Sequence, residues 1–262
     1  MNRIRRLVRD PNRGKLLVPF FTAGYPDLKT SLLLVRAAVD SGADMVELGM
    51  PFSDPMADGP AIQFSSHAAL ERGISLKKIL AGVGGIRRSV DAPLILMGYY
   101  NPVFAYGPDL FLRDCSRAGV DGLIIPDLAV EEASSYRASI VANDLSALFL
   151  VAPTSSPERV KLIEKTSTDL VYAVTVTGVT GAGKVFGADT DTYLKYLKRV
   201  LIKPFVAGFG VSSPEAAIRM CRHADGVVIG SALVDIVRKA ANRKVAVTRV
   251  ARFLSGVSKA IK

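Results

Sequence analysis

The chain has 262 residues, 49% of them hydrophobic, which suits one α/β barrel and is long for a two-layer domain. No apolar run reaches the ~18 residues that a membrane helix needs, and residues 16–21 are too short for a signal segment and are interrupted by Pro19. Cys115 and Cys221 stand far apart without a CxxC, which argues against a disulfide framework or zinc site and for a reducing cytoplasm. The net charge of +10 collects at the two ends without interleaved aromatics, so it reads as solvated helix faces rather than a nucleic-acid surface.

Apolar runs with strand character fall at 16–21, 45–48, 94–97, 122–125, 147–151, 170–176, 205–208 and 226–229. Amphipathic segments separate them at 28–41, 76–90, 109–118, 130–143, 157–165, 189–200, 213–223 and 233–257. Strict β–α alternation predicts a closed parallel (βα)8 barrel, and with no linker or composition shift the whole of 1–262 reads as a single domain. An open doubly wound sheet usually carries Gly-x-Gly-x-x-Gly after its first strand. Here that turn is Thr22-Ala23-Gly24-Tyr25-Pro26-Asp27.

In such a barrel the chemistry belongs to the loops that follow the strands. The second strand carries Glu47, a residue seldom buried without a partner or a task, and Pro51, Pro55 and Pro60 predict a fixed loop after it that holds Asp54 and Asp58. An exposed strand-end glutamate and a catalytic one both fit Glu47 alone. After the third strand, Tyr99 and Asn101 form either a rim turn or a substrate contact. The fourth strand leads to Asp127, a candidate to line the site, and to Glu131 and Glu132, placed to favour the next helix N-terminus.

The sixth strand runs into a Gly-rich loop, Thr177 to Lys184. The loops after strands seven and eight contain Gly210, Gly230 and Ser231, where backbone N–H groups and a helix N-terminus can hold a phosphate. No predicted strand ends in the lysine of a Schiff-base aldolase. His67 and His223, the two histidines, lie apart in helical stretches, which leaves no metal-ligand cluster.

Residues 45–63 decide between these readings. The string Glu-Leu-Gly-x-Pro-Phe-Ser-Asp-Pro-x-Ala-Asp-Gly-Pro-x-Ile-Gln resembles the signature of the tryptophan synthase alpha chain family. That resemblance implies a single-domain TIM barrel with a short N-terminal helix and extra loop helices. It implies retro-aldol cleavage of indole-3-glycerol phosphate to indole and glyceraldehyde 3-phosphate, with Glu47 and Asp58 as the catalytic carboxylates. Phe20, Tyr99, Asn101, Asp127, Tyr172, Thr180 and Phe209 then fall at the substrate, and Gly181, Gly210, Gly230 and Ser231 at its phosphate. Asp54 and Pro55 fall at the contact with a beta chain, in an alpha-beta-beta-alpha tetramer. The resemblance also implies no cofactor in this chain, pyridoxal phosphate residing in the beta partner. The sequence departs from the family at Val176 and Ala68, where arginine is usual, and at Ala129, often proline.

Overall fold

The computed structural model describes residues 2–175, 188–208 and 210–262. Its strands are β1 (Leu16–Thr22), β2 (Val46–Gly49), β3 (Leu94–Met97), β4 (Gly122–Ile124), β5 (Ser146–Ala147), β6 (Leu150–Val151), β7 (Val171–Val174), β8 (Phe205–Gly208) and β9 (Gly226–Ile229). They pair in parallel in the order β5-β4-β3-β2-β1-β9-β8-β7-β6. The two ends of that order, β5 and β6, are halves of one stave. Between them the Leu148 amide donates to Leu123 O (3.1 Å), while Phe149 O accepts from the Tyr172 amide (3.1 Å). The stave thus joins β4 on one side and β7 on the other, and eight staves close into a barrel.

Twelve helices are present among the described residues: α1 (Arg3–Arg9), α2 (Leu28–Asp40), α3 (Pro60–Glu71), α4 (Leu76–Ile86), α5 (Tyr100–Tyr106), α6 (Pro108–Ala118), α7 (Ser134–Ala142), α8 (Pro157–Thr166), α9 (Ala188–Val200), α10 (Pro214–Cys221), α11 (Ser231–Arg238) and α12 (Arg243–Ile261). Two differ from the sequence reading in an instructive way. Pro60 does not prolong the loop but opens α3, because the first helical position needs no N–H. The single segment expected at 233–257 is two helices. Asn242 interrupts it, its side chain accepting from the Val245 amide (3.0 Å) to cap α12. Glu131 also departs from its expected role: α7 starts at Ser134, and Glu131 instead pairs with Arg159 of α8.

Strand tilt places one in-register row at very different depths. Phe20, Glu47, Ile95, Gly122 and Ser146 are successive Cα partners across β1 to β5. The row starts at the mouth and reaches the floor, where a Cβ on Gly122 would lie 2.7 Å from Cδ1 of Ile4 on α1. Ile4 is fully buried, so α1 closes the bottom of the barrel.

Four aspartates tie that floor together. Asp44 accepts from the Leu17 amide (2.8 Å), Asp121 from the Leu94 amide (2.8 Å) and Asp225 from the Phe205 amide (3.0 Å), while Asp169 accepts from the Ser146 hydroxyl (2.7 Å). Each precedes an even-numbered stave, and each has a cation: Lys262 for Asp44, Arg3 and Arg87 for Asp121, Arg5 for Asp169, Arg13 and Lys198 for Asp225. The basic ends of the chain are therefore partly spent on its own floor.

Candidate active site at the barrel mouth

β2 carries its anomaly inward. Glu47 is 1% exposed, and neither carboxylate oxygen has a hydrogen-bond partner among the described residues. Burial without compensation favours the neutral acid and pushes its pKa up to about 8. A carboxyl group left unpaired at this depth costs several kcal/mol when ionised, roughly, so it is poised to exchange a proton at neutral pH.

Asp58 reaches the mouth from the loop between β2 and α3. Turns from the Met56 amide to Asp54 O (2.9 Å) and from the Asp58 amide to Pro55 O (3.1 Å) shape that loop, and Gln63 Nε2 donates to Asp58 O (2.9 Å). Desolvation lifts the Asp58 carboxyl to about 6, and a hydrogen bond from the Tyr99 hydroxyl opposes the rise. The two acids thus sit in contrasting surroundings: one dry and unpaired, the other partly buried and hydrogen-bonded.

Aromatic groups close over them from β1 and β7. A Cβ on Gly49 would lie 2.4 Å from Cζ of Phe20, so the glycine after Leu48 is what admits the ring. Tyr172 is buried, and its hydroxyl is held far above its usual pKa by burial first and then by the charges of Glu47 and Asp58. Phe20, Glu47, Asp58 and Tyr172 are thus brought together at the mouth, and the Tyr99 hydroxyl, on a side chain 7% exposed, accepts there from the amide of Ala57 (2.9 Å), the residue before Asp58.

Asp127 is exposed and accepts from the Tyr100 amide with both oxygens (2.9 and 3.1 Å), fastening the β4 loop to the start of α5. Asn101 is exposed in the first turn of α5. Gly230 precedes α11 and Ser231 opens it, and Gly210 lies in the loop after β8 with φ +83°. Asp54 is exposed and bonded to Ser53, beside half-buried Pro55. Thr180, Gly181, Val176 and Phe209, with the loop Thr177 to Lys184, lie outside the described residues. Gly49 and Gly208 were not singled out from sequence as site residues, although a glycine at the end of a strand that approaches an aromatic is a signal that could have found them. Among the described residues no cluster of His, Cys, Asp and Glu could hold a metal ion.

Fold and site together define a parallel (βα)8 barrel with two carboxyl groups of raised pKa at the C-terminal ends of its strands. A model of the tryptophan synthase alpha chain family matches residues 7–262. The tryptophan synthase alpha chain of Pelobacter propionicus is 43% identical over 263 aligned residues, covering 100% of this chain and 98% of that one. Among solved structures, tryptophan synthase subunit alpha from Legionella pneumophila superposes with a TM-score of 0.91 at 35% identity, covering 100% of this chain and 98% of that one. The tryptophan synthase complex from Pyrococcus furiosus gives a TM-score of 0.85 at 34% identity, over 93% and 98% of the two chains. The chain belongs to the tryptophan synthase alpha chain family, lyases of tryptophan biosynthesis.

Proposed function

We propose that this chain is the alpha subunit that cleaves indole-3-glycerol phosphate to indole and glyceraldehyde 3-phosphate. The observation that carries this reading is the dry, unpartnered carboxyl of Glu47 beside the hydrogen-bonded one of Asp58. In the retro-aldol step a proton goes to the indole carbon bearing the glycerol chain, and the adjacent side-chain hydroxyl loses one. The bond between that ring carbon and the side-chain carbon bearing the hydroxyl breaks, and the latter becomes the aldehyde while indole leaves. Glu47, protonated near neutral pH, is the acid/base, and ionised Asp58 stabilises the positive charge that develops at the ring N–H. Phe20 and Tyr172 flank the indole, and the family resemblance assigns Phe209 and Thr180, outside the described residues, to the substrate as well. The phosphate lies on Gly181, Gly210, Gly230 and Ser231, where the N-terminus of α11 supplies positive potential.

The whole chain acts as one domain in the cytoplasm and delivers indole to a beta chain that carries pyridoxal phosphate. Asp54 and Pro55 border a groove lined also by Phe52, Ser53, Met56, Gln63 and His67, and Met56 is 87% exposed at its edge. An apolar side chain left to solvent beside a shaped groove supports this loop as the beta contact. The test is indole release from indole-3-glycerol phosphate by the chain alone and with a cognate beta chain. Slow release that the partner accelerates is expected. No release in either case would refute the reading.

A further inference from the structure

Ser65 stands in the middle of α3 and is fully buried, where neither helix propensity nor hydrophobicity favours a serine. Its hydroxyl makes two bonds. It donates to Ile62 O in the preceding turn (2.9 Å), and it lies 2.6 Å from the hydroxyl of Thr22, the last residue of β1, which is also buried. A hydroxyl has one proton and a carbonyl can only accept, so Thr22 is the donor and Ser65 Oγ the acceptor.

Both ends of that bond lead to the site. On β1, Thr22 pairs with Gly49 as Phe20 pairs with Glu47, and the two rows, one pleat apart, share a face of the sheet. On the other side, α3 opens at Pro60, just after Asp58, and its first turn holds the Asp58 backbone. Gln63 Nε2 donates to Asp58 O (2.9 Å), and the Gln63 amide donates to Gly59 O (2.9 Å). A helix is stiff over so short a span, so Asp58 stands where the Thr22–Ser65 bond sets α3.

We propose that Ser65 is a positioning residue: bonded to Thr22, it fixes α3 on the end of β1 and thereby the place of Asp58 relative to Glu47. The proposal rests on the reading of Glu47 and Asp58 as the working pair. Without the bond, buried Ile62 and Ala69 still hold α3 on the barrel. Their attraction has no direction, however, and leaves the helix free to slide along the strand.

The experiment compares wild type, Ser65→Ala, Thr22→Val, the double variant and Ser258→Ala as full chains. Thr22→Val keeps the shape of the side chain and removes its hydroxyl. Ser258→Ala is the control for lost stability, since it removes a buried hydroxyl that donates to Gly42 O (3.4 Å), before β2 at the floor end. The readouts are kcat with glycerol 3-phosphate affinity, and amide hydrogen exchange at Met56, Asp58 and Gln63. Ser65→Ala and Thr22→Val should each lower kcat by about tenfold, speed exchange at the three amides by about tenfold, and leave the affinity within about twofold. The double variant should lose no more than either single one, because all three remove the same bond. Ser258→Ala should lower the melting temperature and leave kcat and exchange unchanged. Exchange in Ser65→Ala equal to wild type overturns the proposal, as do losses that add in the double variant or an equal loss of kcat in Ser258→Ala. Exchange needs no turnover, so wild type that released no indole would sink the reaction while the anchor was still decided.

Discussion

A Cβ placed on Gly208 would lie 2.3 Å from the hydroxyl oxygen of Tyr172. The end of β8 must therefore be glycine for the β7 tyrosine to lie across the mouth beside Glu47. Gly208→Ala should turn that ring toward the substrate space. The fold should survive, since Gly208 O still accepts from Thr175 N and Oγ1. The expected result is an unchanged far-UV spectrum with kcat/KM reduced by about tenfold or more, the size of effect that a misplaced group near the reacting atoms produces. Full activity in this variant would remove Tyr172 from the site.

Stability should fall with pH in a way that one residue explains. A carboxyl whose folded pKa is raised contributes fully below its unfolded value of 4.5 and loses that contribution as pH rises through about 8. For Glu47 the loss is on the order of 5 kcal/mol across that window. Glu47→Gln does not titrate, so it should gain on wild type as pH rises from 5 to 9 in urea melts. Parallel stability curves would mean that Glu47 finds a partner when ionised.

Ser231 opens α11, where a second negative charge would meet any bound phosphate. Ser231→Asp should weaken glycerol 3-phosphate, a mimic of the substrate tail, by roughly tenfold to a hundredfold in a calorimetric titration. Undiminished affinity would place the phosphate elsewhere.

The floor makes a separate claim. Asp121 accepts from the Leu94 amide and pairs with Arg3 and Arg87. Asp121→Ala strands a buried amide donor, leaves the half-buried Arg87 guanidinium without its counter-charge, and should cost about 3 kcal/mol by denaturant unfolding. Because the floor lies at the opposite end of the strands from Glu47, kcat at 25 °C should stay within about twofold of wild type. A large loss of kcat in the folded variant would show that the two ends are coupled.

How far the sequence led is clear from these same residues. Strands such as Leu94–Met97 and Gly226–Ile229 were legible because continuous apolar runs between turns have one economical reading in an alternating chain. Glu47 was legible as an anomaly, and its burial without a partner is what the structure adds. The floor was not read, although Asp44, Asp121, Asp169 and Asp225 recur before every second stave, because an aspartate before a strand looks like any turn residue until its partner amide is known. Asp127 was expected to line the site, and the structure adds a contact not read from sequence, both its oxygens accepting from the Tyr100 amide. Spacing along the chain carries no information on which neighbouring loop a carboxylate will grip. Gly208 was taken only as the end of a strand, since the ring it makes way for comes from another strand.

In the proposed reaction Glu47 moves the proton. Its most direct test is the single-turnover rate of indole release by Glu47→Gln, with glycerol 3-phosphate affinity measured on the same preparation. An amide cannot supply a carboxylic proton, so the rate should fall by roughly 10²–10⁴ while the ligand binds as in wild type. A folded Glu47→Gln chain that binds the ligand and releases indole at near the wild-type rate would contradict the account.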